Sequence, residues 1–192
     1  MIRPLLFLLC LAAGLWQLGS AGWLLAKAQL AQRLIAEAWE TQLQDGVPQK
    51  PWPWADTRPV AKLKLEGQRP LVVLAGGSGA SLAFGPGLLA GSGKPGDFRT
   101  TVIAAHRDTH FAGLQSVRRG SAIYLQDERG HWHTYRVSEL RIVNSERERL
   151  PVFAERGLLL VTCYPFDAVA AGGPLRYLVY AEYQSGGEVV RL

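Results

Sequence analysis

Cys163 closes the apolar run GLLLVTC and stands directly before Tyr164 and Pro165, so its thiol is expected at a strand end, where a loop opens. A thiol whose ordinary pKa is about 8.5 is only slightly ionised at neutral pH, and as a nucleophile it needs a proton acceptor or a cation beside it. His106 has a parallel setting, ending the run TVIAA and opening HRDTHF, with His110 four residues further in the same loop. Acyl transfer also needs a donor for the developing oxyanion, and Arg176 lies within the otherwise apolar and aromatic run LRYLVYAEY. By strand alternation Arg176 shares a face with Leu178 and Tyr180, while Leu175, Tyr177 and Val179 take the other. An arginine so placed also serves as an edge charge that keeps other strands away, and the residues alone leave both roles open. His131 and His133 alternate along one strand face, but no third metal ligand is evident nearby, so the pair reads as part of a surface strand.

The elements that must position these groups are short β-type runs between Gly and Pro punctuation: 59–65, 71–75, 101–105, 122–126, 131–144, 157–163 and 175–183. Seven such runs with no strong helix among them predict an all-β barrel or sandwich. In HWHTYRVSELRIV the apolar parity shifts between Val137 and Leu140, which predicts a bulge. The glycine-rich stretch 78–96 lacks the Gly-Lys-Ser/Thr ending of a phosphate loop and reads as a strand and loop.

Ahead of this region, residues 4–26 carry no charge, and at about 1.5 Å per residue they suit a hydrocarbon core of about 30 Å. We read residues 1–26 as a membrane anchor; cleavage as a signal peptide near Ala26 is the competing reading. Residues 27–53 then form a helix and a proline-rich linker, and the domain proper begins at Trp54 and runs to 192. Counting basic residues on either side of the span does not orient it. The 21 Lys and Arg against 16 Asp and Glu give a net charge of +5, but they are scattered singly, which speaks against a nucleic-acid partner. Of the two cysteines, Cys10 lies inside the apolar span, so the two are not expected to pair. If the domain is exported, Cys163 is a lone thiol where cysteines usually form disulfides, which favours reactivity; burial as a small hydrophobe competes.

TVIAAHRDTHF, LLLVTC and the arginine of PLRYLVYAEY, in this chain order, resemble the His, TLxTC and Arg elements of the sortase family of cysteine transpeptidases. The likeness runs from about Trp52 to Tyr183, and PWPWADTRPVAKL and SLAFGPG are similar to the subgroup found in Gram-negative proteobacteria. Leu159 stands where the first Thr of TLxTC would be. The resemblance implies a closed eight-stranded β-barrel with Cys163 and Arg176 on neighbouring strands and His106 across the groove. It implies a reaction in which Cys163 cleaves an LPxTG-like C-terminal sorting signal on an exported protein, His106 moves the protons, Arg176 holds the carbonyl or oxyanion, and an amine acceptor resolves the thioacyl enzyme. No cofactor is implied. Thr162 is a candidate for orienting the substrate backbone, with strand packing as the competing role, and Asp108 for holding the His106 imidazole or its loop, with a solvated carboxylate as the competing role.

Two other readings compete: a cysteine peptidase that uses the same residues and lets water resolve the intermediate, and a membrane-tethered binding domain without catalysis. The joint presence of Cys163, His106 and Arg176 argues against the second. Substrates exported across the membrane would need the barrel on the outer, periplasmic side of the inner membrane.

Overall fold

The strand runs read from the sequence close on one another. The computed structural model describes residues 2–148, 155–168 and 172–185. A long helix α1 (Ile2–Asp45) precedes β1 (Pro59–Leu65), β2 (Leu71–Ala75), a single-turn helix α2 (Gly79–Leu82), β3 (Gly87–Leu88), β4 (Thr101–Ala104), a 3-10 turn (Ala112–Ser116), β5 (Ala122–Gln126), β6 (Trp132–Asn144), β7 (Gly157–Cys163) and β8 (Leu175–Tyr183). The eight strands form a closed barrel in the order β1-β2-β3-β4-β7-β8-β6-β5. Most neighbours run antiparallel; β2 with β3 and β4 with β7 are parallel. The inward residues, among them Leu63, Val73, Ile103, Ile123, Leu125, Leu158, Leu160 and Val179, fill the interior as one apolar cluster. The register of β6 against β8 shifts between Val137 and Glu139, so the parity change in the sequence is a bulge. In the glycine-rich stretch the strand is only the two-residue β3, preceded by α2.

α1 continues without a break from the apolar segment into the helix that follows it. Ala31, Ile35, Ala38, Trp39 and Gln42 are buried, a spacing that puts them on one helix face against the barrel. Trp39 is fully buried and its indole Nε1 donates to Gln126 Oε1 at 3.4 Å, while Lys62 Nζ reaches Glu40 at 2.6 Å. The second half of α1 is therefore part of the barrel's own packing. Its first half is exposed; by length and composition it could cross a bilayer.

The β5–β6 hairpin shows where His131 and His133 go. His133 Nε2 lies 3.1 Å from Asp127 Oδ2, and Asp127 Oδ1 accepts the backbone N–H groups of Arg129 and His131. Burial pushes the Asp127 carboxyl up, but the bonds from His133, His131 and Arg129 outweigh it and hold it below its ordinary value. Gly96 closes against the same ring: with φ +80 it suits glycine, and a Cβ there would meet His133 Cε1 at 2.4 Å. Among the described residues no group of three or more His, Cys, Asp or Glu could hold a metal ion. A carboxyl whose folded pKa is depressed contributes stability that is present above its unfolded value of 3.8 and is lost as pH falls through the folded value. Asp127→Asn should therefore lower the thermal midpoint at pH 6, and the gap to the native chain should close as thermal scans move below about pH 4. A gap that stays constant down to pH 2 would assign the hairpin's stability to other groups.

Candidate active site

β4 and β7 lie side by side and point the same way, so their C-terminal ends arrive together at one barrel rim. Pairing runs from Thr101↔Leu158 to Ala104↔Val161, and the Ala105 N–H still donates to the Val161 carbonyl at 3.2 Å. The Thr162 hydroxyl then donates to the Ala105 carbonyl at 2.8 Å. His106 follows Ala105 as Cys163 follows Thr162. On the other side of β7, Cys163 is the Cα partner of Arg176 at the start of β8. The three residues thus occupy three adjacent strand ends, with Cys163 between His106 and Arg176. His106 is exposed, and Cys163 and Arg176 are half-buried.

Alternation decides which way these residues point. Leu158 and Leu160 belong to the interior cluster, whereas Leu159, Val161, Leu178 and Tyr180 form a second buried cluster with Val102 and Val143 on the opposite face. Cys163 has the parity of Leu159 and Val161, and Arg176 that of Leu178 and Tyr180. Both therefore belong to the barrel's outer face, where a substrate has access. Thr162 has the inward parity and is buried, so its hydroxyl fastens β7 to the strand end that carries His106. Leu159 is fully buried in the outer cluster, away from the strand end. Leu159→Thr exchanges apolar contacts for a buried hydroxyl and is expected to cost about 2 kcal/mol in urea denaturation while leaving turnover unchanged. A drop in turnover at unchanged stability would give this position a chemical role.

The guanidinium of Arg176 donates through Nη1 to the carbonyls of Gly173 and Leu175, at 2.7 and 2.9 Å. It is anchored at the start of β8 and remains partly accessible. Asp108 is exposed, and its Oδ1 accepts from Arg107 Nε at 2.9 Å.

Arg107 itself was not singled out from the sequence, where a charged residue in a loop reads as solvated. It is only 3 % exposed. Its Nη1 donates to the Pro165 carbonyl at 2.7 Å and its Nη2 to the Ala168 carbonyl at 2.8 Å. The residue after His106 therefore grips the loop that follows Cys163. That loop is held on its other side by aromatic contacts: Tyr177 stacks on Tyr164 at 6.3 Å between ring centroids and meets Phe166 edge-on at 5.2 Å. Burial pushes the Tyr177 phenol up, with Arg118 opposing and Tyr164 adding. His110 is half-buried; burial pushes its imidazole down, a bond to the Ala83 backbone opposes this, and the neighbouring His106 lowers it further. A cavity of about 230 Å³ lined by Thr100, Glu139, Arg156 and Tyr180 lies at the start of β7, at the opposite barrel end from Cys163. It is no part of this rim.

The strand end that carries the thiol thus lies between those that carry an imidazole and a guanidinium, on the outer rim of a closed eight-stranded barrel. The Sortase domain family model matches residues 64–184, and the chain belongs to the sortase family. Among solved structures the barrel is similar to sortase A from Corynebacterium diphtheriae, with 26% identity, a TM-score of 0.59 and coverage of 69% of this chain. The chain spans 63% of that relative's length. A lid mutant of the same sortase matches with 23% identity and TM-score 0.60, covering 82% of this chain and 95% of the other. The Clostridium perfringens sortase D5 transpeptidase matches with 18% identity and TM-score 0.64, covering 82% and 99%; at such identities the likeness concerns the fold. No curated protein matches the chain.

Proposed function

We propose that this sortase is a membrane-anchored cysteine transpeptidase of the proteobacterial type, with residues 1–26 as anchor, 27–53 as the connecting helix and proline-rich segment, and 54–192 as the catalytic barrel. Its substrate is an exported protein with an LPxTG-like C-terminal sorting signal. Cys163 attacks a backbone carbonyl of the signal, the C–N bond breaks, and the leaving amine takes a proton from His106. Acyl carbon and sulfur are then joined in a thioester. An incoming amine attacks that carbon and gives its proton to His106 as the C–S bond breaks, which returns Cys163 and His106 together to the protonation they started with and forms a new amide. Arg176 donates to the carbonyl oxygen as charge develops on it. Thr162 fixes the spacing of the two strand ends, and Asp108 acts on the His106 loop through Arg107.

The observation that carries this reading is the cross-strand pair Cys163↔Arg176 with His106 one residue beyond the β4–β7 contact. The test is mass spectrometry of the full chain after incubation with signal peptides. A peptide-sized adduct on Cys163 that converts to a ligated product when an amine is added supports the reading; hydrolysis alone across a range of amines would make the chain a peptidase instead. An export-dependent reporter fused at the C-terminus should be active if the barrel is periplasmic, and a reporter active only in the cytoplasm would defeat that placement.

A further inference from the structure

We infer that α1 holds the Cys163 rim of the barrel face-down on an anionic bilayer surface, so that this chain acts on signals presented within a few residues of the membrane. The inference rests on the membrane-anchor reading of residues 1–26. Three contacts set the direction in which α1 lies along the barrel. Gln32 Nε2 donates to the Phe84 carbonyl at 2.6 Å. Phe84 stands just ahead of Gly87, and Gly87 pairs antiparallel with Ala104, so the segment before Gly87 is level with the segment after Ala104, where His106 stands. His110 ties the two together, bonding the Ala83 backbone while lying near His106. Further along α1, Trp39 bonds Gln126, the last residue of β5, which pairs with Trp132, the first residue of β6. Leu43 packs by Gly130 in that hairpin. β6 begins where β8 ends and β7 begins, which is the barrel end opposite Cys163.

Traced backwards, α1 therefore leaves the barrel past the catalytic rim. The uncharged stretch ends at Ala26, about 9 Å before Gln32 along the helix at 1.5 Å per residue. Lys27 lies there with its ammonium 5.0 Å from the Trp23 ring centroid, a pairing of residue types that favours the headgroup layer.

The rim has the charge for that surface. Arg69 in the β1–β2 turn and Arg118 and Arg119 before β5 are exposed at the Cys163 end. The two turns are drawn together by Gln68 Nε2, which donates to the Gly113 carbonyl at 3.0 Å. Of the rim's acidic groups, Glu66 accepts the Ala122 N–H, Asp108 pairs with Arg107 and Glu148 with Arg141, while Glu146 stands beside the exposed Arg147 and Asp167 is exposed in the loop after Cys163. The far end carries Asp97, Asp127 and Glu128 around one hollow that Lys94 and Arg129 also line.

The test places the full chain, in a Cys10→Ser, Cys163→Ala background, in nanodiscs of phosphatidylglycerol and phosphatidylethanolamine doped with a gadolinium-chelating lipid. Nitroxides are attached through Gln115→Cys near the rim or Arg129→Cys in the far hairpin. Relaxation enhancement should be strong at 115 and weak at 129, and weaker at 115 when the anionic lipid is replaced by phosphatidylcholine. Equal or reversed enhancement overturns the orientation, and indifference to lipid charge overturns the basic contact. A second arm inserts seven helix-forming residues after Lys27, which lifts the barrel by about 10 Å with little rotation. Turnover of a soluble signal peptide should be unchanged, whereas turnover of the same signal placed next to a membrane span should fall about tenfold or more as the local concentration drops. Equal turnover of the tethered substrate overturns the proximity. Failure of the native chain to turn over soluble peptide would sink the transpeptidase reading and leave the relaxation measurement to decide the orientation.

Discussion

Cys163→Ala is expected to abolish the peptide adduct and to lower turnover by about a thousandfold or more, the scale on which loss of a nucleophile acts. Because Cys163 is half-buried at a strand end, with Pro165 two residues on, the fold should barely respond, and unfolding should shift by no more than about 0.5 kcal/mol. The pairing of β7 with both neighbours does not use the thiol. Binding of the signal peptide should survive, since the contacts that hold it uncleaved are distinct from the bond that forms. Titration of the variant with a fluorescent signal peptide checks this, and an adduct of unchanged yield on the variant would move the nucleophile elsewhere in the chain.

Arg107→Met is expected to lower kcat by roughly a hundredfold, the cost of misplacing reacting groups by about 1 Å, with a smaller effect on KM. The guanidinium connects the His106 loop to the carbonyls of Pro165 and Ala168, and bonds from a charged donor contribute about 1.5–3 kcal/mol each. Methionine keeps the buried stem and leaves those carbonyls without this donor. Arg107→Lys restores one charged donor without the fork and should recover part of kcat. A purely structural role would lower the folded fraction alone, so the assay is run well below the thermal midpoint of each variant. The pH dependence of maleimide labelling at Cys163 is read alongside. If kcat per folded molecule and the labelling profile both match the native chain, Arg107 positions nothing.

The barrel was legible in the sequence because glycine and proline interrupt apolar runs of strand length. The runs 59–65, 71–75, 122–126, 157–163 and 175–183 coincide with β1, β2, β5, β7 and β8. The β6 bulge was legible for a related reason, since an inserted residue leaves its mark in the parity of Val137 and Leu140. β3 was not legible as a separate two-residue strand, because so short a pairing depends on its neighbours rather than on its own composition. The buried face of α1 was legible only in part: Ile35 and Ala38 stand out by amphipathic spacing, but Ala31 and Gln42 become informative only once Trp39 is seated on the barrel. For the site, Cys163, His106 and Arg176 stood out by type and by position at the ends of runs. Arg107 did not, because its role comes from two backbone carbonyls some sixty residues away, and carbonyls carry no signature in a sequence.

The closure of the barrel bears on how a peptide is read. β7 is paired with β4 on one side as far as Val161 and with β8 on the other, and β8 with β7 and β6, so only the last two residues of β7 lie beyond a strand partner on one side. A substrate cannot be recruited by adding itself to the sheet as an extra strand, the mode in which main-chain bonds supply affinity whatever the side chains are. Discrimination must come from side chains and loops around Cys163. N-methylation of signal residues remote from the scissile bond should accordingly be tolerated far better than exchange of their side chains.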